Sequence, residues 1–160
     1  MTTLSSLPPA CGESAAVELA ERIIAFLSDS RTPVWLVGGY VRDRLLCRPS
    51  HDLDVIVPEG GIGLAREVAR RFGGAWFALD PDRDVGRAIV ELGPGGRLEI
   101  DVARLRVPDL LDDLALRDFT VNAIAAELGN GLKRLFDPFD GRLDVERRLV
   151  RAVTEGAFYD

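Results

Sequence analysis

The sequence predicts a mixed α/β domain, on three observations. From residue 14 onward, short apolar runs alternate with stretches of helical periodicity. A strand–turn–helix–strand unit occupies residues 34–57, VWLVGGYVRDRLLCRPSHDLDVIV. Two glycine-rich signals, Gly93-Pro94-Gly95-Gly96 and Gly129-Asn130-Gly131, call for antiparallel hairpins further on. The chain has 160 residues, 47% of them hydrophobic, enough for one sizeable core.

The elements follow in order. Ala16, Leu19, Ala20, Ile23 and Leu27 repeat at helical spacing behind a capping Ser14, which predicts a helix over 14–28. Val34–Val37 is a continuous apolar run and reads as a buried strand. Gly38-Gly39 ends it, Tyr40–Leu46 reads as a short helix, and Leu53–Val57 as the second strand. Gly60–Gly63 opens a helix through Arg71, with Leu64, Val68 and Phe72 on one face. Ala75–Ala78 is a third strand, and Asp80–Asp84 a turn around Pro81. Arg87–Leu92 and Arg97–Leu105 form a hairpin pair. Leu110–Leu116 reads as a short helix, and Phe119–Leu128 as a further helix that fades into a strand. Asp137-Pro138-Phe139-Asp140-Gly141 is a turn, and Leu143–Arg148 a last helical turn or two. The sheet is expected to be mixed and twisted, flanked by helices.

A net charge of -6 argues against a domain that grips nucleic acid through broad electrostatics. Cys11 and Cys47 belong to no disulfide framework and read as free thiols of a reducing compartment. No apolar run approaches the ~18 residues of a membrane span. The opening MTTLSSLPPACGES lacks the charged and apolar regions of a signal peptide and reads as a flexible lead. The expected location is the cytoplasm. The 19 arginines and single lysine point to a GC-rich genome rather than to a mechanism.

The chemistry gathers in residues 34–57. Alternate residues of a strand share a face, so Asp52 and Asp54 point the same way and can share a cation. The same spacing at Asp80/Asp82 and Asp82/Asp84 falls in a proline turn and reads as solvated loop. In Arg97–Leu105 (RLEIDVARL), Glu99 and Asp101 share the polar face, so either one completes a metal site if this strand lies beside Asp52 and Asp54. Gly38-Gly39 permits close approach of backbone to an anion at a helix start, and Arg42 lies one turn on. Gly61-Ile62-Gly63 imitates a dinucleotide fingerprint, but Arg66 stands at its third glycine position, which excludes that reading. His51, the only histidine, reads as a turn residue, and no zinc or Cys-His spacing exists.

Taken in order, these segments resemble the N-terminal catalytic head domain of class II tRNA CCA-adding nucleotidyltransferases and bacterial poly(A) polymerases. That family has the DNA polymerase β-like nucleotidyltransferase fold. Val37-Gly38-Gly39-Tyr40-Val41-Arg42-Asp43 resembles its triphosphate-contacting glycine motif, and His51-Asp52-Leu53-Asp54 its metal motif. Asp101 matches the third acidic position. Arg117-Asp118-Phe119-Thr120-Val121-Asn122-Ala123 resembles the RRDFTxNA motif that helps hold nucleotide phosphate and sugar. Asp137–Gly141 resembles the turn that closes the head.

The resemblance implies specific roles. Asp52, Asp54 and Asp101 would be the catalytic carboxylates holding two Mg²⁺ ions. Gly38, Gly39, Arg42, Arg117, Asp118 and Asn122 would bind nucleotide. The implied partners are CTP, ATP and a tRNA 3′ end, with the RNA held mainly by further domains. Three departures stand out. Leu116 replaces the first arginine of RRDFT, Cys47 stands where the family commonly has glycine, and only a short ARLRVPDLL bridge follows Asp101. A short bridge is a mark of members that add CC. The expected organisation is a lead over 1–13, a head over 14–152 and the start of a truncated neck over 153–160. Poly(A) addition and a non-catalytic nucleotide-binding module remain open alternatives.

Overall fold

A computed structural model describes residues 6–129 and 134–156. Among them a seven-stranded sheet runs in the order β3-β4-β5-β2-β1-β6-β7. The strands are β1 (Val34–Val37), β2 (Asp52–Val57), β3 (Ala75–Asp80), β4 (Val85–Gly93), β5 (Gly96–Arg104), β6 (Ala125–Leu128) and β7 (Arg134–Phe136). Only β2 and β5 pair in parallel; the other neighbours are antiparallel. The helices are α1 (Ala15–Ser28), α2 (Gly38–Leu45), α3 (Gly61–Phe72), α4 (Leu110–Ala115) and α5 (Gly141–Arg147). The mixed α/β expectation holds, and none of these helices is long and apolar enough to cross a membrane.

Strand alternation divides the sheet into two faces. Leu36, Leu53, Val55, Leu98, Ile100 and Val102 are buried on one face, beneath Ile23 and Leu27 of α1 and Val68 of α3. Fully burying such side chains stabilises the fold by about 1.5–3 kcal/mol each. The opposite face is partly covered by a smaller cluster of Trp35, Val37, Ile56, Leu110 and Leu114. The rest of that face carries Asp52, Asp54, Glu99 and Asp101. A one-residue slip of β2 would bury both of its aspartates in the main core.

Three expectations are corrected. Cys11 and Cys47 are not free: they form a disulfide with a Cα–Cα distance of 5.2 Å. The described part of the lead is held against α2, which brings the sulfurs together. Leu7 is buried, and Arg44 Nε donates to the Pro8 carbonyl at 2.8 Å. Residues 119–128 do not form a helix. They make a 3₁₀ turn (Thr120–Asn122) followed by β6, because pairing with both β1 and β7 outweighs the helix preference of Ala123–Glu127. Asp84 is not a solvated loop residue: its carboxylate accepts from the N–H groups of Gly60, Gly61 and Ile62 at 2.8–3.0 Å. It thereby fills the N-terminus of α3, the one that imitates a dinucleotide site. The Asn130-Gly131 part of the second hairpin signal lies outside the described residues, although β6 and β7 do pair antiparallel.

Candidate active site

The site forms where β1 turns into α2 beside β2. Gly38 begins α2 with φ +66°, a conformation that favours glycine. Space is tight there as well, since a Cβ would lie 3.0 Å from Asp54 Oδ2 and 3.3 Å from Arg117 Nη1 and would press on both side-chain tips. The Gly39 N–H faces the Asp54 carboxylate and favours its charged form. The glycine turn therefore packs directly against the central carboxylate.

Parallel pairing of β2 with β5 sets Asp54 opposite Asp101 and Asp52 opposite Glu99. The strand adjacency that the third carboxylate required is present, with Asp101 on the same face as the aspartate pair. Burial pushes the Asp54 carboxyl above the usual range. The Asp101 charge adds to this, Arg117 opposes it, and Asp52 raises it further. Negative charge here is under-compensated, and the donors are hard carboxylate oxygens. Asp52, Asp54 and Asp101 therefore fit a divalent cation such as Mg²⁺. Among the described residues no three such groups already converge into a finished metal cage. Asp101 is engaged by an arginine instead: Arg87 Nε reaches Oδ1 at 2.6 Å and Nη2 reaches Oδ2 at 2.7 Å.

The phosphate-side residues also assemble. Arg42 Nη1 donates to Asn122 Oδ1 at 3.0 Å, joining the glycine motif to the RDFTVNA segment across 80 positions of sequence. Arg42 Nε binds Asp43 at 3.0 Å, which fixes the guanidinium plane. Asn122 is placed by the 3₁₀ turn, itself anchored where Thr120 Oγ1 donates to buried Asp144 at 2.6 Å. Arg151 Nε also donates to Asp144 at 3.0 Å.

Arg117 Nη1 reaches the Gly38 turn beside Asp54. Burial holds its pKa below the usual value, the nearby Arg106 adds to that, and Asp113, Asp54 and Asp118 oppose it. Its Nε is buried without a hydrogen-bond partner. A poorly solvated cation with an unused donor suits an incoming phosphate.

One expected site residue stands apart, and His51 is the turn residue it was expected to be. Asp118 is exposed, and its carboxylate accepts from the Phe119 N–H at 2.7 Å, a local turn contact. His51 lies in the bend before β2, where its carbonyl accepts from the Glu99 N–H at 2.9 Å. Leu116, at the first position of the RRDFT-like motif, is exposed. Cys47, at the family's glycine position, has φ +54°, the left-handed conformation that favours glycine.

Sequence reading missed Arg87 and Arg106. Arg106 grips the buried Asp113, with its backbone N–H at 2.8 Å and Nε at 3.2 Å, and so orders the short bridge into α4. For Arg106 the usable signal was an arginine seven residues before an aspartate in an apolar context. Arg87 had none without the strand register.

Comparison with known proteins shows what the whole chain is similar to. A CC-adding tRNA nucleotidyltransferase of Geobacter sulfurreducens is 45% identical over 124 residues, 78% of this chain and 28% of the relative. An A-adding tRNA nucleotidyltransferase of Deinococcus radiodurans is 44% identical over 120 residues, 75% of this chain and 25% of the relative. Among solved structures, the Thermotoga maritima CCA-adding enzyme complexed with tRNA superposes with a TM-score of 0.80 at 27% identity. That match covers 100% of this chain and 38% of the enzyme. The chain thus spans well under half the length of these proteins. Residues 34–151 match the poly(A) polymerase head domain, the span that holds the glycine turn, the carboxylates and the Arg117–Asn122 segment, and the chain belongs to that family.

Proposed function

We propose that this chain is the head of a template-independent RNA nucleotidyltransferase that adds CMP or AMP to a tRNA 3′ end and releases pyrophosphate. One observation carries the reading. A single sheet register sets Asp54 against Asp101 while the Gly38-Gly39 turn packs against Asp54. The names of the relatives support the substrate class, and the solved neighbours include complexes with tRNA, CTP and ATP.

The division of labour follows from position. Asp52, Asp54 and Asp101 would hold two Mg²⁺ ions. When bound, the ions supply positive charge against the triphosphate and lower the pKa of the RNA 3′-hydroxyl. Arg42 and Arg117 bind the triphosphate on the flank of Asp54 where the glycine turn lies, and that turn lets the phosphates approach closely. Asn122 fixes Arg42 and lies within reach of the sugar. Asp118 belongs to this segment through its backbone: its carbonyl accepts from Val153 N–H at 3.0 Å and steadies the strand entry. On this reading the working protein acts in the cytoplasm, with its tRNA. The isolated chain is expected to bind nucleotides weakly and with little base selectivity, since base choice and most of the RNA grip belong to further domains.

The test is Asp52→Ala or Asp54→Ala in the complete gene product, assayed on tRNA lacking its CCA end. Outer-shell changes at metal sites cost about 10–100-fold, so removing a ligand is expected to cost more than about 100-fold. Addition at the unmodified rate by either variant would refute the assignment. Running an unrelated RNA beside the tRNA separates tRNA end addition from poly(A) synthesis, the reading that the family's description keeps open. Mg²⁺-dependent triphosphate binding without transfer would instead support a non-catalytic module.

A further inference from the structure

Arg87 takes no part in the roles assigned above, yet it is the residue most tightly bound to the third carboxylate. It lies on β4 directly opposite Asp101 on β5. Its Nε and Nη2 engage both oxygens of Asp101 at 2.6 and 2.7 Å. Its Nη1 reaches Glu99 Oε2 at 2.9 Å. Such a fork-on-carboxylate pair is the strong, geometrically specific form of the ion pair.

We propose that Arg87 is a displaceable clamp that competes with a divalent cation for Asp101 and so sets the cation affinity of the site. The proposal rests on the carboxylate-site reading and goes beyond it. A cation that uses Asp101 meets a guanidinium already on both oxygens, and like charges at that range repel. Two features make the clamp releasable. Arg87 is partly exposed, with 28% of its side-chain surface accessible, so it can swing toward solvent. Glu99 already holds its third nitrogen and remains as a partner after Asp101 is given up. Arg97, at 2.6 Å, pairs with Glu99 from its other oxygen and keeps that carboxylate in place. Arg87 is thus a positioning residue acting through Asp101. In the cation-free state it offsets part of the charge that crowds Asp54, Asp52 and Asp101.

The test is direct titration of the chain with Mn²⁺, with free ion measured by electron paramagnetic resonance. Loss of an opposite charge at this distance shifts a carboxylate's equilibrium by one to three powers of ten, so Arg87→Gln should bind Mn²⁺ at least about tenfold more tightly. Arg87→Lys, which keeps the charge without the fork, should fall between. In an Asp101→Asn background, Arg87→Gln should change Mn²⁺ affinity little. Unchanged or weaker binding by Arg87→Gln overturns the clamp, as does equal tightening with Asp101 already neutralised. A supporting scaffold residue would lower affinity, so the sign separates the two roles. Circular dichroism checks folding, and Arg87→Lys carries the test if the glutamine variant unfolds. Asp52→Asn with Asp54→Asn should abolish binding. If Mn²⁺ still binds there, the carboxylate-site reading fails; if binding is lost there but Arg87→Gln is no tighter, only the clamp fails.

Discussion

Of the helices in this fold that begin with glycine after a strand, α2 and α3 are put to opposite uses. At α3, the N–H groups of Gly60, Gly61 and Ile62 all point at the Asp84 carboxylate. The positive end of that helix is closed from within. At α2, Gly38 and Gly39 pack against Asp54, whose charge is poorly compensated, with Arg42 and Arg117 near by. Glycine at a helix start is therefore no anion site by itself. What matters is whether a distant carboxylate closes the helix end or cations gather there with donors to spare.

The largest contrast is expected from adding one methyl group at each helix start. A Cβ on Gly61 would lie 2.2 Å from the Asp84 carbonyl oxygen and 2.8 Å from that of Val102, both backbone atoms that cannot step aside. Gly61→Ala should destabilise the fold by at least about 3 kcal/mol in urea unfolding. A Cβ on Gly38 would instead press on the tips of Asp54 and Arg117, which can move. Gly38→Ala should cost only about 1–2 kcal/mol, mostly for its positive φ. In the complete gene product it should nevertheless lower nucleotide addition by more than about tenfold, because the displaced groups are the working ones. If Gly38→Ala damaged stability more than Gly61→Ala, the contrast between the two helix starts would collapse.

The next effect tests how α2 is held while its N-terminus serves the site. The Cys11–Cys47 disulfide closes a separation of 36 residues across the far end of α2. Reduction, or Cys11→Ser, should lower stability by about 2–3 kcal/mol. α3 has no such tie among the described residues. Hydrogen exchange should therefore show α2 loosening before α3 when the disulfide is opened.

The sequence disclosed the two glycine starts equally well and could not tell them apart. Apolar runs placed β1 and β2, helical spacing placed α1 and α3, and alternation set Asp52 and Asp54 on one face. The partners of the glycine turns come from far along the chain, Asp84 for one and Arg117 for the other, so spacing alone could not supply them. The hairpin shows a subtler limit. Its Gly93↔Gly96 turn pair, carried straight down the strands, would set Arg87 opposite Val102, on the core side. An irregularity between Glu91 and Gly93 shifts the register by one and brings Arg87 opposite Asp101. Residues 119–128 misled for a different reason. Their alanines favour helix locally, but β6 is paired on both sides, by β1 and β7, with Ala125 and Ala126 fully enclosed.

A cap of three N–H bonds is smaller in effect than a disulfide. Asp84→Ala should cost about 1–2 kcal/mol and leave triphosphate binding by the α2 site unchanged, as fluorescence titration with a labelled nucleotide would show. Weakened nucleotide binding would mean that the two helix starts are coupled.

The smallest expected effect lies in the acid limb of stability, where the two carboxylates should pull in opposite directions. At Asp84 burial raises the pKa, but the N–H bonds from Ile62, Gly61 and Gly60 outweigh it, and the net value is lowered. A carboxyl depressed in the folded state stabilises fully above its unfolded pKa, about 3.9, and that contribution is lost as pH falls through the folded value. At Asp54 burial and the Asp101 charge leave the folded pKa raised. The folded state then binds the proton more tightly, so ionised Asp54 weakens the fold above its folded pKa, and acid relieves the penalty. Urea unfolding from pH 7 to pH 3 should therefore show opposite changes. Asp84→Asn should flatten the acid loss of stability, whereas Asp54→Asn should raise stability at pH 7 and steepen the fall toward acid. The same sign from both variants would show that the helix starts are electrostatically alike, and the distinction between a closed end and a working one would have to rest on shape alone.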